Sequence, residues 1–203
     1  MRNIMKLSLA LIVAVTLAAT ASAQQAGRIR GEIEKADGPN LVLKLRDGSS
    51  LNVKVADDVR VSALVKASLD DLKNDTFIGI AGVPKPDGSI EAHSVHIFLP
   101  AQRGVVPDRH GPWDSRPNST MTNAYIEGTP APATGGATFK VKYKEGEKNV
   151  VVTPQTAIAA AAPGNKDELK PGAQIIIFGS EKLGDGSVLA KTLYVGRGVT
   201  PAM

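Results

Sequence analysis

Leu41-Val42-Leu43-Lys44-Leu45-Arg46-Asp47-Gly48 decides the fold, because Phe139-Lys140-Val141-Lys142-Tyr143-Lys144-Glu145-Gly146 repeats its pattern 98 residues later. In the first stretch Leu41, Leu43 and Leu45 alternate with Val42, Lys44 and Arg46, the period of two that marks a half-buried strand. Asp47-Gly48 then supplies the signal of a tight hairpin, and Glu145-Gly146 reads the same way in the second stretch. Beyond the first turn Leu51, Val53 and Val55 alternate with Asn52 and Lys54, so the returning strand is amphipathic too.

Further matches follow in the same order. Leu72-Lys73-Asn74-Asp75 pairs with Leu169-Lys170-Pro171-Gly172 at an offset of 97, and Asp87-Gly88-Ser89 with Asp185-Gly186-Ser187 at 98. Between these marks lie more apolar strands, Phe77 to Val83 and Ile175 to Phe178, and glycines inside the first suit the bends of a closing barrel. Ile90 to Phe98 and Val188 to Val195 follow the Asp-Gly-Ser turns as last strands. Ser68 before Leu69-Asp70-Asp71 and Asn165 before Lys166-Asp167-Glu168 each place a capping side chain three residues ahead of a carboxylate, which predicts a helical turn or two.

Five short strands and one small helix, met twice, predict an all-β chain of two tandem OB-like β-barrels, since closure removes exposed sheet edges. The first module is expected over 24–99 and the second over 122–203, with repeat cores at 27–99 and 122–198. Leu43, Leu45, Val53, Ile78 and Ile80 should point into the first barrel. Ala157 to Ala162 resists this scheme, because its alanines favour helix where the repeat asks for a strand or loop.

Residues 100–121 form a connector carrying Pro100, Pro107, Pro112 and Pro117, together with Arg103, Arg109, Arg116 and the only tryptophan, Trp113. The tract fits either an ordered strap across the barrels or a semi-rigid spacer. A solvated spacer gains nothing from so large an apolar ring, so Trp113 is expected to be at least partly buried.

At the other end, Arg2 and Lys6 precede an apolar run from Leu7 to Leu17 and then Ala21-Ser22-Ala23, the pattern of a secretory signal spanning residues 1–23 and cleaved before Gln24. The run is too short and too diluted by Thr16, Thr20 and Ser22 for a membrane anchor. Without the leader the chain has 180 residues, 22 basic and 20 acidic, a net charge of +2. So weak a balance argues against a nucleic-acid partner bound through many phosphates. No later stretch reaches spanning length, and the absence of cysteine removes disulfides and thiol chemistry. The expected location is periplasmic or secreted.

Several stretches carry a resemblance: Lys-Ala-Ser-Leu-Asp-Asp-Leu-Lys at 66–73, Val95-His96-Ile97-Phe98, the connector Arg109-His110-Gly111-Pro112-Trp113-Asp114, and Ser119-Thr120-Met121-Thr122-Asn123-Ala124. In these and in its two-copy layout the chain resembles a family of exported proteobacterial proteins built on a repeated small-barrel domain of unknown function. The resemblance covers the chain after the leader and implies the fold and the compartment. Some members carry the label of metal transporter permease. This chain departs from it, because a permease needs several membrane spans and no apolar stretch after the leader is long enough.

Little in the sequence carries chemistry. His93 and His96 stand three apart in a strand, which sends their side chains to opposite faces, and the aligned residues of the second module are Lys191 and Tyr194. A metal site would therefore need His110, and a metal-handling accessory protein using His93, His96 or His110 is the alternative reading. Asp57-Asp58 and Asp70-Asp71 are read as solvated carboxylates, and Asp87 and Asp185 as turn formers. Gly-x-Ser-x-Gly, His-Glu-x-x-His and phosphate-loop patterns are absent. Trp113 with Arg109 and Arg116 is the best candidate binding surface, a ring beside cations. The reading is a non-enzymatic periplasmic binding or interaction protein, without cofactor, whose partner is a periplasmic protein or small ligand.

Overall fold

The computed structural model describes residues 28–201, so the predicted leader lies outside the described residues. The chain is all-β, with strands β1 (Ile29–Asp37), β2 (Asn40–Leu45), β3 (Ser50–Lys66), β4 (Phe77–Pro84), β5 (Ile90–Ile97), β6 (Arg109–Pro112), β7 (Thr120–Ala133), β8 (Gly136–Tyr143), β9 (Gly146–Pro163), β10 (Gln174–Lys182) and β11 (Val188–Arg197). The predicted helical signals are single 3-10 turns at Leu69–Asp71 and Lys166–Glu168. Both start as the sequence requires: the Asp71 carboxylate accepts from Ser68 N–H, and Glu168 accepts from Asn165 N–H while Asn165 Oδ1 accepts from Asp167 N–H. No helix among the described residues is long and apolar enough to cross a membrane.

The hairpins follow from the turn residues. Gly48, Gly88 and Gly186 sit at φ +83°, +82° and +83°, where side-chain-bearing residues are strained. Beside each, an aspartate (Asp47, Asp87, Asp185) accepts from both the N–H and the hydroxyl of the serine two residues on. The Glu145-Gly146 hairpin differs from its expectation. Tyr143 pairs with Gly146 in the ladder, so the two-residue loop is Lys144-Glu145 and the glycine is already in β9.

The pairings form a closed five-strand barrel in the order β1–β2–β3–β11–β10 and back to β1. The strands outside it close a second circuit, β4–β5–β9–β8–β7 and back to β4, with β6 added on β7. Neither circuit comes from one half of the sequence. The first three strands of the chain are completed by its last two, and everything from β4 to β9 lies in the other circuit. The expected arrangement, with 24–99 and 122–203 each closing a barrel of its own, is thus replaced by an exchange of strands. Leu43, Leu45 and Val53 face one core with Ile33, Ile175 and Leu193, whereas Ile78 and Ile80 face the other with Phe139, Val141 and Val150.

The exchange runs through β3 and β9, the two longest strands. After Ala56 and after Thr153 each strand has left its hairpin partner, β2 or β8, while keeping its ladder with β11 or β5, and the two freed edges pair antiparallel from Ser62↔Pro163 to Lys66↔Ala159. Each chain end then enters the neighbouring circuit through its 3-10 turn. Leu72 and Leu169, just after those turns, plug the second and first cores respectively. Ala157 to Ala162, the stretch with helical propensity, is strand because β5 and β3 supply its ladder partners.

The registers of the two circuits agree. Val53↔Val188 and Val55↔Ala190 in one correspond to Val150↔Ile90 and Val152↔Ala92 in the other, at offsets of 97 and 98. The same holds where Ile33 N–H donates to Ala173 C=O and Ile33 C=O accepts from Gly172 N–H, as Ile126 does with Thr76 and Asp75. Leu64 and Ala161, equivalent at an offset of 97, pair with each other. That is the geometry of a pseudo-two-fold axis.

Candidate functional site

The connector is an ordered strap. After a 3-10 turn at Pro100–Gln102 the strap adds β6 to β7, with Arg109↔Asn123 and Pro112↔Thr120 in register. Trp113 N–H donates to Ser119 C=O, which fixes the indole just beyond β6. The ring is half-buried against Met121, Ala81 and Phe178, where the two circuits meet. Beside it opens an apolar cleft of about 250 Å³ between Trp113, Phe98, Met121, Phe178 and Tyr194, with Arg28 and Arg109 on its wall. The indole N–H is buried and has no hydrogen-bond acceptor, an uncommon state for a tryptophan.

Cations gather here. The Arg28 guanidinium lies 3.4 Å over the Trp113 ring, a cation–π contact. Arg28 and Arg30 both face Asp114, at 3.8 and 2.9 Å. Burial would raise the Asp114 pKa, but the Arg30 hydrogen bond and the charges of Arg30 and Arg28 overcome it and hold the carboxyl below its ordinary value. Burial lowers the Arg28 pKa, and Arg30 and Arg109 add to that effect while Asp114 opposes it. Burial also lowers that of Arg46, with contributions from Arg30 and Arg116.

Of the residues singled out in the sequence, Trp113 and Arg109 share the cleft, and Arg116 does not line it. Arg116 is exposed and stands toward Arg46 and His93. Arg28, Arg30 and Arg46 were the residues sequence reading missed. Their signal was the alternation Arg28-Ile29-Arg30 on β1, which puts both guanidinium groups on one face of the strand. Nothing in the local sequence shows that this face lies beside residues 113 and 114.

The three histidines stay apart. His93 Nε2 lies 3.3 Å from the hydroxyls of Ser115 and Ser119, and His110 Nδ1 lies 2.8 Å from Thr122 Oγ1. His93 is the bulged residue of β5, skipped in the ladders on both sides, so the simple alternation expected there does not hold. His96 is 1% exposed, and neither ring nitrogen has a partner. Its ring packs edge-on against Phe98 and Tyr194, and burial drives its pKa down to about 3. Among the described residues no three histidine or carboxylate side chains gather as a metal site. The acidic pair Asp57-Asp58 lies exposed at the bend of β3.

The arrangement therefore offers an aromatic-walled cleft with guanidinium groups at its mouth and an unused donor beside it. Compared with known protein families, curated proteins and solved structures, the chain matches none.

Proposed function

We propose that the protein is a non-enzymatic binding protein of the bacterial periplasm whose ligand enters the cleft at Trp113. The observation that carries the reading is the apolar cleft walled by Trp113, which also bears Arg28 and Arg109. Trp113 is only half-buried, so a ligand seated in the cleft removes more of its apolar ring from water. The leader pattern at residues 1–23 supports export. The matched registers of the two circuits support a tandem duplication of an OB-like module whose copies have exchanged strands, which sets the cleft at the seam between them, a frequent place for ligand sites.

The test uses the low-molecular-mass fraction of a periplasmic extract from the producing bacterium. Added to the purified protein, it should raise the melting temperature and shift the emission of Trp113, and mass spectrometry should show no component converted. An extract that moves neither signal refutes the binding reading. Turnover of a component refutes its non-enzymatic part.

A further inference from the structure

The charge around the cleft is lopsided. Arg28, Arg30 and Arg46 lie near one carboxylate, Asp114, while Arg109 stands near Arg28 and Arg116 near Arg46. Five guanidinium groups gather on this face, in a chain whose residues 24–203 total only +2. The rest of that length is therefore net negative, and the positive field is concentrated on one face. Low-dielectric walls beside such a patch focus its field into the cleft.

Two of the five cations also line the apolar cleft. Arg28 and Arg109 are close enough to influence each other, and Arg28 shares its counter-ion Asp114 with Arg30, from which it is the more distant. Arg109 is exposed and forms no ion pair among the described residues. The apolar walls are Phe98, Met121, Phe178 and the faces of Trp113 and Tyr194.

Resting on the binding reading above, we infer that the ligand is a small organic anion: an apolar body about the size of an aromatic ring, carrying one phosphate or carboxylate. The ring sits against Phe178 and Met121. The anionic group takes hydrogen bonds from Arg109 and Arg28, whose planar guanidinium forks match both oxyanions. The cleft is too apolar to be an inorganic anion site and its mouth too cationic to be a site for a neutral hydrocarbon.

Trp113 is the only tryptophan, so its fluorescence reports the site directly. The full chain after the leader is titrated with four probes: phenyl phosphate, benzoate, phenol and inorganic phosphate. Phenyl phosphate or benzoate should bind saturably and at least about tenfold more tightly than phenol or inorganic phosphate, and which of the two binds better identifies the anion. Arg109→Ala should weaken the better probe by about tenfold, the loss of one charge-assisted hydrogen bond, and Arg116→Ala by much less. Arg109→Gln, which keeps the stem and a donor, serves if the alanine variant melts early. Phenol binding as well as the better anion overturns the role of the arginines, and inorganic phosphate doing so overturns the role of the cleft. Silence from all four probes, with the extract still shifting Trp113, overturns the ligand class and leaves the binding reading standing. Silence from probes and extract together overturns both.

Discussion

His96 shows how a single side chain links burial to pH. Its ring nitrogens are sealed from water without partners, and its pKa lies near 3 against an ordinary value near 6.5. As pH falls below about 6.5 the unfolded chain takes up the proton and the folded chain does not, so stability is complete above that pH and declines as pH approaches 3. At about 1.4 kcal/mol per pH unit, urea midpoints should drop steeply between pH 6.5 and 5, a window above the titration of ordinary carboxylates. Burial lowers the pKa of His93 and His110 as well, so both add to the same slope with the same sign. His96→Phe should flatten the curve more than His93→Gln or His110→Gln; an unchanged slope would show that His96 is protonated in the folded state. Nothing in the residues around His96 signals this role. Its burial follows from Tyr194, which reaches it through the exchange of strands.

Short elements were the most legible, because their causes are local. The Asp-Gly-Ser turns, the single-turn helices and the alternating strands all appear where their residues placed them, since φ, capping and period two are decided within a few residues. A contrast between two glycines measures how local that control is. Gly88 sits at φ +82°, and Gly88→Ala should cost about 1–2 kcal/mol by forcing a side chain into the left-handed region. Gly146 belongs to the strand, where an added Cβ would meet Tyr143 Oη at an ordinary 3.6 Å, so Gly146→Ala should leave the urea midpoint nearly unchanged. Equal losses at both positions would contradict the turn assignment. Where the cause was tertiary, local propensity misled: the alanines of Ala157 to Ala162 favour helix, the repeat asked for a strand or loop, and placement between β5 and β3 makes the stretch strand.

At the scale of the whole molecule, the all-β class was legible and the partnership of the strands was not. Apolar alternation states which face of a strand is buried, but a β3 from either copy would satisfy a β11 from either copy, so the pattern cannot choose between self-closure and exchange. The candidate site inherited that blindness, since Arg28 and Phe178 reach Trp113 across the seam. The exchange leaves one circuit continuous in sequence and the other split around it, which predicts an asymmetry between fragments. Residues 76–165 hold all five strands of the second circuit together with β6, and should fold alone with a cooperative urea transition and dispersed amide resonances. Residues 28–99 hold strands from both circuits and complete neither, and should not fold; a cooperative transition for that fragment would mean that self-closure competes with exchange. One further consequence concerns order in time. Ile29 pairs with Ile177 and Val53 with Val188, so a chain that enters its compartment amino end first presents β1, β2 and β3 long before their partners arrive. The interior segment, with its shorter loops to close, assembles first. The strands that arrive earliest wait the longest and depend on the carboxyl end to shield them, so truncation before β10 should turn a folded protein into an aggregating one.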